Sequence, residues 1–284
     1  MATAAHTPIE LARLAAGRLA DAGIENARLD AELLLAHVLG LRRLDLYLQF
    51  DRPLTEAEVA LYRDATRRRL RREPLQYITG VAGFRELTLR VDGRVLIPRP
   101  ETELLVGEVL RGAGERAASS EQRVANSEQR AANELRALDI GTGSGAVALS
   151  LAREGGFAHV VATDLSTDAL ELARENAAAA GLSEAVDFRE GALWDTVRPG
   201  ERFDVVASNP PYVADGDRSE LAPEVADWEP AAALFGGTDG LDVIRPVVTG
   251  APARLRPDGL LALEVGAGQA DAVAALLEAA GFGR

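Results

Sequence analysis

The second half of the chain alternates between short apolar runs and amphipathic segments, and this alternation constrains the fold most. The apolar runs predict strands at 135–140, 160–164, 186–190, 203–208 and 259–265. Segments with helical periodicity lie between them, for example at 167–181. Such alternation is typical of an α/β fold in which helices cover a mostly parallel, doubly wound sheet.

The first of these strands leads into a glycine-rich turn, D-I-G-T-G-S-G, from Asp139 to Gly145. Glycine lets the backbone approach a ligand closely and turn sharply into a helix. The next strand ends at Asp164, where a carboxylate can accept hydrogen bonds from both hydroxyls of a ribose. The combination predicts an adenosine-containing cofactor rather than a tight structural turn. The G-x-G-x-G spacing favours S-adenosylmethionine over a nicotinamide dinucleotide.

The fourth strand ends in S-N-P-P-Y-V, from Ser208 to Val213. In a doubly wound sheet this strand lies beside the first, so Asn209 and the glycine loop would face one crevice. Each proline disfavours helical geometry in the residue before it, which stiffens the segment. The Asn209 side-chain oxygen and the Pro210 carbonyl can then form a fixed pair of acceptors. The alternative is that Pro210 and Pro211 merely end a strand.

Such a pair of acceptors suits a planar –NH2 group, whose flat face Tyr212 can cover. An amide nitrogen is a poor nucleophile because its lone pair is delocalised. Two acceptors favour the more positive, pyramidal nitrogen of the transition state, which is differential binding. The segment therefore predicts methyl transfer to an amide or aryl amine nitrogen.

The first 80 residues have helical periodicity in three segments, with a capping box at Thr55 and Glu58 and a stop at Gly40. Residues 84–97 alternate, and Asp92-Gly93 predicts a hairpin turn there. The tandem repeat S-E-Q-R-V-A-N, S-E-Q-R-A-A-N fills 120–133 and predicts an exposed helical or disordered insertion without chemistry.

Composition excludes several classes of protein. The chain has no cysteine and three scattered histidines, which argues against disulfides, thiolate catalysis and a metal site. The net charge of −13 argues against sequence-independent binding to nucleic acid. Neither a secretory leader nor a long apolar run is present, so we expect a cytoplasmic protein.

The chain resembles the protein-(glutamine-N5) methyltransferases that modify peptide-chain release factors. The resemblance covers about residues 8–282. Its most specific segments are V-L-I-P-R-P-E-T-E at 95–103 and A-L-F-G-G-T-D-G-L-D at 233–242. Further matches are R-E-P-L-Q-Y-I-T-G, L-D-I-G-T-G-S-G, S-N-P-P-Y-V and L-A-L-E-V-G-A-G-Q. The N-P-P-Y tetrapeptide alone is shared with DNA-adenine and some RNA-guanine methyltransferases.

The resemblance implies a class I methyltransferase with a Rossmann-like sheet and a small helical N-terminal domain. It implies a release-factor-binding domain at 1–80, a β-hairpin linker at 81–100 and a methyltransferase domain at 101–284, with an insertion at 113–134. The methylated residue would be the glutamine of the release factor's Gly-Gly-Gln motif. The enzyme would act as a monomer without direct contact to nucleic acid.

The resemblance also implies site residues. Catalysis would rest on Asn209, Pro210 and Tyr212, and Asn209, Pro210, Pro211 and Tyr212 would bind the substrate amide. S-adenosylmethionine would be held by Gly141, Thr142, Gly143, Ser144, Gly145, Asp164, Trp194 and Asn209, with Trp194 near the adenine.

Three features depart from the family pattern. Ala192 stands where many members have an acid near the adenine, the 120–133 repeat is additional, and the last strands of the sheet are expected to be absent. Two other functions stay open: a nucleic-acid amino-methyltransferase acting on N6-adenine or N2-guanine, and an inactive cofactor-binding subunit.

Overall fold

A computed structural model describes residues 6–121 and 135–283, with side chains for 6–115 and 135–283. These residues form two compact units. The first contains the described residues up to Gly80 together with Ala222–Trp228, and the second contains Val81–Leu221 and the residues from Glu229 onward. Residues 222–228 thus belong to the first unit and not to the methyltransferase domain in which the expected boundaries place them.

The helices and strands follow in chain order. The helices are α1 Pro8–Asp21, α2 Ala27–Leu39, α3 Asp45–Leu48, α4 Glu56–Leu70, α5 Leu75–Thr79, α6 Pro100–Glu121, α7 Ala146–Glu154, α8 Thr167–Ala180, α9 Pro223–Ala226, α10 Ala231–Leu234, α11 Ile244–Gly250 and α12 Ala270–Ala279. The strands are β1 Val81–Phe84, β2 Leu87–Arg90, β3 Arg136–Ile140, β4 His159–Asp164, β5 Val186–Glu190, β6 Phe203–Ser208 and β7 Leu255–Leu263. Short 3₁₀ helices span Leu193–Thr196, Asp215–Glu220 and Ala251–Ala253.

The first unit is helical, and its helix ends follow from local sequence. The predicted capping box of α4 is confirmed, because the Thr55 hydroxyl accepts from the Glu58 N–H and the Glu58 carboxylate accepts from the Thr55 N–H. Gly40 ends α2 in the left-handed conformation, with φ 63°. Leucines and alanines of α1 and α2 pack with Tyr62 of α4 to form the core of this unit.

A buried ion network joins three helices of the first unit. The Arg69 guanidinium of α4 lies 2.7 Å from the Asp30 carboxylate of α2 and 2.9 Å from the Glu224 carboxylate of α9. Arg72 adds a second cation to Glu224 at 3.0 Å. Removing one partner of such a buried network would leave an unpaired charge, so these contacts bind α9 to this unit.

The hairpin lies earlier in the sequence than predicted. β1 and β2 pair antiparallel, with Phe84 opposite Leu87, so the turn is at 85–86 and not at Asp92-Gly93. Arg85 adopts a left-handed φ of 49° there, and its guanidinium pairs with Glu154. The Asp92 carboxylate instead accepts from the Arg94 N–H, which makes a separate turn after β2.

The second unit is built on a five-stranded sheet with the order β5-β4-β3-β6-β7, in which all neighbours are parallel. This confirms the predicted α/β fold and the position of β6 beside β3. All six residues of β6 are buried, as expected for a strand covered on both faces. Ile140 and Ser208 are paired at the carboxyl ends of β3 and β6, so the loops that follow these strands begin side by side.

Helix α6 extends through Glu121 and thus includes the beginning of the 120–133 repeat. The rest of the predicted insertion, 122–134, lies outside the described residues. No helix of the described chain combines the length and the apolar character needed to cross a membrane.

Candidate active site

A cavity of about 520 Å³ opens at the carboxyl ends of the central strands β3, β4 and β6. In open α/β sheets this edge, at the point where the strand order reverses, is where ligands bind. Its lining includes 141–144 of the glycine loop, Asp164 at the end of β4, and 208–211, which begin at the last residue of β6. The lining is mostly apolar, and the volume suits a nucleoside-sized ligand.

The glycine loop has the backbone conformations that its sequence predicts. Gly141, Gly143 and Gly145 have φ values of 75°, 54° and 85°, a region that side chains disfavour. Gly145 lies behind the cavity lining, where a Cβ would come within 3.1 Å of Leu149 at the start of α7. The Asp164 carboxylate accepts from the Gly143 N–H at 2.9 Å and from the Ser166 N–H at 2.9 Å. Asp164 therefore fixes the loop as well as facing the cavity.

Asp139 braces the same loop from beneath. Its Oδ2 accepts from the Thr142 hydroxyl at 2.7 Å and from the Ala148 N–H at 3.1 Å. Complete burial raises the pKa of the Asp139 carboxyl from 3.8 to about 7; both hydrogen bonds oppose this shift and the Asp164 charge adds to it. This residue was not among the predicted cofactor ligands, and its role here is to hold the loop.

Asn209 follows β6 directly and faces the cavity together with Pro210. Its Nδ2 donates to the Thr102 hydroxyl at 3.1 Å. Among the described residues no donor binds its Oδ1, which leaves that oxygen for a ligand. Tyr212 lies outside the lining of this cavity, and its hydroxyl donates to Glu264 at 3.2 Å. Burial and the Glu264 charge raise the pKa of Tyr212 to about 12, so the hydroxyl keeps its proton.

Two loops hold the backbone of the N-P-P-Y segment. A Cβ on Gly236 would overlap the Pro211 carbonyl oxygen, and one on Gly240 would overlap that of Tyr212. The Gln269 side chain donates to the Tyr212 carbonyl at 2.9 Å and accepts from the Gly266 N–H at 2.8 Å. Gly236 and Gly240 of F-G-G-T-D-G-L are therefore required because the backbone of the N-P-P-Y segment packs directly against them.

An ion pair between Arg99 and Glu229 stabilises one wall of the cavity. Glu229 is almost completely buried and accepts from Arg99 at 2.5 Å and from the Ile97 N–H at 3.3 Å. Burial raises the pKa of the Glu229 carboxyl, which Arg99 partly offsets. Pro230 follows immediately and lines the cavity. The P-R-P-E-T-E segment thus contributes structure to the site through Arg99 and Thr102.

The structure differs from the prediction at Trp194. Its indole N–H donates to the Pro246 carbonyl at 2.8 Å, and its ring packs against Gly250 of α11, outside the cavity lining. Leu193 has a left-handed φ of 46°, and it lines the cavity with Ala192. Trp194 is therefore not placed to contact a ligand in this cavity, whereas its neighbours Ala192 and Leu193 are.

Sequence reasoning also missed Thr102, Glu264 and Gln269 as members of the site. Each belongs to a segment that carried the family resemblance, but no local pattern connects these segments with Asn209. Their signal was their occurrence in P-R-P-E-T-E and L-E-V-G-A-G-Q.

Comparison with known proteins agrees with this geometry. Residues 10–80 match the family described as PrmC N-terminal domain, and residues 137–228 match a methyltransferase domain. The catalytic domain of hMettl16, solved with an RNA hairpin, superposes with a TM-score of 0.54 over 81% of this chain and 74% of its own, at 16% identity. At that identity the likeness concerns the fold alone. The fold and the cavity define a class I methyltransferase.

Curated relatives specify the family. The chain is 44% identical over 266 residues to the release factor glutamine methyltransferase of Geobacter sulfurreducens, covering 94% of this chain and 86% of the relative. It is 43% identical over 272 residues to that of Cereibacter sphaeroides, covering 96% and 90%. The chain belongs to the release factor glutamine methyltransferase family.

Proposed function

We propose that this enzyme transfers a methyl group from S-adenosylmethionine to the side-chain amide nitrogen, N5, of the glutamine in the Gly-Gly-Gln motif of peptide-chain release factors. The observation that carries this proposal is the position of Asn209. Its amide oxygen has no protein donor among the described residues, and it faces a cavity that it shares with the glycine loop. Membership of the family supplies the substrate class.

The residues of the cavity fit the cofactor. Gly141 and Gly143 line the cavity with positive φ and allow close approach of a ligand, and the Asp164 carboxylate ends the neighbouring strand, where it can accept from ribose hydroxyls. Leu165, Ala192 and Leu193 offer apolar surface for the adenine. When bound, the cofactor supplies an electrophilic methyl group on a sulfonium. We propose Gly141, Thr142, Gly143, Ser144, Gly145, Asp164 and Asn209 as the residues that hold it.

Asn209 and Pro210 act on the substrate amide. Their two oxygens accept the two N–H groups, and this directs the nitrogen lone pair to one place in the cavity. Because the nitrogen becomes more positive and its protons more acidic as the new bond forms, the acceptors bind the transition state more strongly than the planar amide. One proton then leaves to solvent, so no strong general base is needed. Pro211 and Tyr212 support the segment.

The surroundings of the cavity contribute to the same chemistry. The mostly apolar lining lowers the local polarity and strengthens hydrogen bonds inside the site. A substrate amide held close to its reaction partner gains much of the remaining rate from orientation alone.

The proposal extends to partners and location. The helical first unit, up to residue 80, would bind the release factor, and the enzyme would act as a monomer in the cytoplasm, where its substrate works. The net charge of −13 supports the absence of direct nucleic-acid contact.

Incubation with methyl-labelled S-adenosylmethionine tests the function. One reaction contains a release factor, a second contains the same factor with the Gly-Gly-Gln glutamine replaced by alanine, and a third contains DNA. We expect label only in the unaltered release factor. Label in DNA would support a nucleic-acid amino-methyltransferase instead, and cofactor binding by calorimetry without any labelled product would indicate an inactive subunit.

A further inference from the structure

We propose that Thr102 and Glu264 are positioning residues that determine which end of the Asn209 amide faces the cavity. This inference rests on the proposed function, because it explains how Asn209 comes to present an acceptor to a substrate –NH2 group. Neither residue is predicted to touch the reacting atoms.

Three residues from distant parts of the second unit form a continuous chain of hydrogen bonds. The Asn209 Nδ2 donates to Thr102 Oγ1 at 3.1 Å, and Thr102 Oγ1 donates to Glu264 Oε2 at 2.7 Å. Thr102 lies in the first turn of α6, Asn209 follows β6, and Glu264 follows β7. The Glu264 N–H also donates to the Ser208 carbonyl at 3.0 Å, which fixes Glu264 beside the end of β6.

The direction of this chain follows from the protons available. A hydroxyl has one proton, and an ionised carboxylate can only accept. The Thr102 proton therefore points to Glu264, and the Thr102 oxygen presents a lone pair to Asn209. Of the two ends of the Asn209 amide, only Nδ2 can donate a hydrogen bond to this lone pair. The acceptor Oδ1 therefore faces the cavity.

This direction matters because the two ends of an amide have nearly the same shape and opposite hydrogen-bonding character. An amide turned by half a rotation would present –NH2 to a substrate –NH2, and two donors would face each other. The carboxylate of Glu264 thus selects the acceptor form of Asn209 without touching the substrate.

Burial makes this selection effective. Thr102 is 4% exposed, so water does not readily replace Glu264 as its acceptor. The second oxygen of Glu264 accepts from the Tyr212 hydroxyl, whose raised pKa keeps it a donor. Both carboxylate oxygens therefore accept hydrogen bonds. Rotation of the carboxylate away from Thr102 would break both of them.

Two substitutions test the inference, and a third controls for packing. Glu264→Gln retains shape but adds an –NH2 that can donate to Thr102 and reverse the chain. Thr102→Val removes the hydroxyl at constant volume, and Thr102→Ser restores it. The readouts are the single-turnover rate of methyl transfer to a release factor, the KM for that factor, and the Kd for S-adenosylmethionine.

We expect Glu264→Gln and Thr102→Val to slow single turnover by about 10- to 100-fold, the scale of one hydrogen bond to a charged group. KM and the cofactor Kd should stay close to wild type, and Thr102→Ser should recover the rate. A merely structural role would change the cofactor Kd and the thermal transition together with the rate.

Equal rates in wild type, Glu264→Gln and Thr102→Val would overturn the inference and leave the proposed function intact. No methylation of release factor by the wild-type enzyme would overturn the proposed function and the inference with it. Should Thr102→Val fail to fold, Glu264→Gln carries the test, since it exchanges one oxygen for an –NH2 group.

Discussion

Two threonine–carboxylate hydrogen bonds, both 2.7 Å long, support two different parts of the cavity. Thr142 donates to Asp139 within the glycine loop, and the two residues are three positions apart in the sequence. Thr102 donates to Glu264 across a separation of 162 positions. The same chemical contact is local on the side proposed for the cofactor and long-range on the side proposed for the substrate amide.

The glycine loop and the N-P-P-Y segment are therefore held in place by different parts of the chain. The glycine loop is held by its own strand, turn and helix, together with Asp164 of the next strand. The N-P-P-Y segment is held by α6, by the 236–240 loop and by the residues after β7. Changes on the local side should therefore alter cofactor binding, and changes on the long-range side should alter the transfer rate.

Asn209→Ala should have the largest effect. It removes one of the two proposed acceptors, and we expect single turnover to fall by about 10²- to 10³-fold, or about 3–4 kcal/mol, as for the loss of an oxyanion-hole donor. The cofactor Kd, measured by calorimetry on the same preparation, should change far less. A variant that retains a rate near wild type would show that Asn209 is not the acceptor.

Asp139→Asn should remove the pH dependence of folding stability that arises from the buried carboxyl beneath the glycine loop. The folded-state pKa of about 7 lies above the unfolded value of 3.8, so the folded protein holds this proton more tightly and loses stability as pH rises between these values. From pH 5 to pH 8 this amounts to about 2–3 kcal/mol. Urea unfolding followed by Trp194 fluorescence in a Trp228→Phe background should show this decline in the parent and a flatter profile after Asp139→Asn. Parallel profiles would contradict the raised pKa.

Gly236→Ala tests the long-range support of the N-P-P-Y backbone. The added Cβ would overlap the Pro211 carbonyl oxygen, and we expect a loss of about 1–3 kcal/mol in unfolding free energy, typical of overpacking. The transfer rate should fall at saturating cofactor. Gly216→Ala is the matched control, because a Cβ there has no atom within 4 Å among the described residues. Equal rates in the two variants would exclude close packing as the reason for Gly236.

Trp194→Phe should have the smallest effect on binding. Its indole N–H donates to Pro246 and its ring lies outside the cavity, so the cofactor Kd should remain near wild type although some stability is lost. A large rise in the cofactor Kd at unchanged stability would restore the original assignment of Trp194 to the adenine.

Local chemistry explains which features could be predicted from the sequence. The capping box at Thr55, the stop at Gly40 and the existence of the five strands depend on neighbouring residues, and the structure confirms them. The fifth strand spans Leu255–Leu263 rather than the predicted 259–265. The hairpin turn was placed wrongly, because Arg85 adopts a left-handed conformation that its contacts with Glu103 and Glu154 stabilise. No short-range pattern contains those partners.

The same reasoning applies to the site. The glycine loop and Asp164 are recognisable because their spacing along the chain is itself the structural requirement. Thr102 and Glu264 reach Asn209 only through the packing of α6 and β7 around β6, which spacing does not encode. Trp194 donates to Pro246, a partner 52 positions away, and its neighbour Leu193 has a left-handed backbone that residue type alone would disfavour.

Tandem mass spectrometry of a release factor after reaction with the enzyme and S-adenosylmethionine tests most directly whether the N-P-P-Y segment presents a carboxamide for methylation. We predict a single added methyl group on the side-chain nitrogen of the Gly-Gly-Gln glutamine, and none when Asn209→Ala is assayed for the same time. A methyl group on any other residue, or an unmodified glutamine beside methylated nucleic acid, would contradict the proposed role of Asn209 and Pro210.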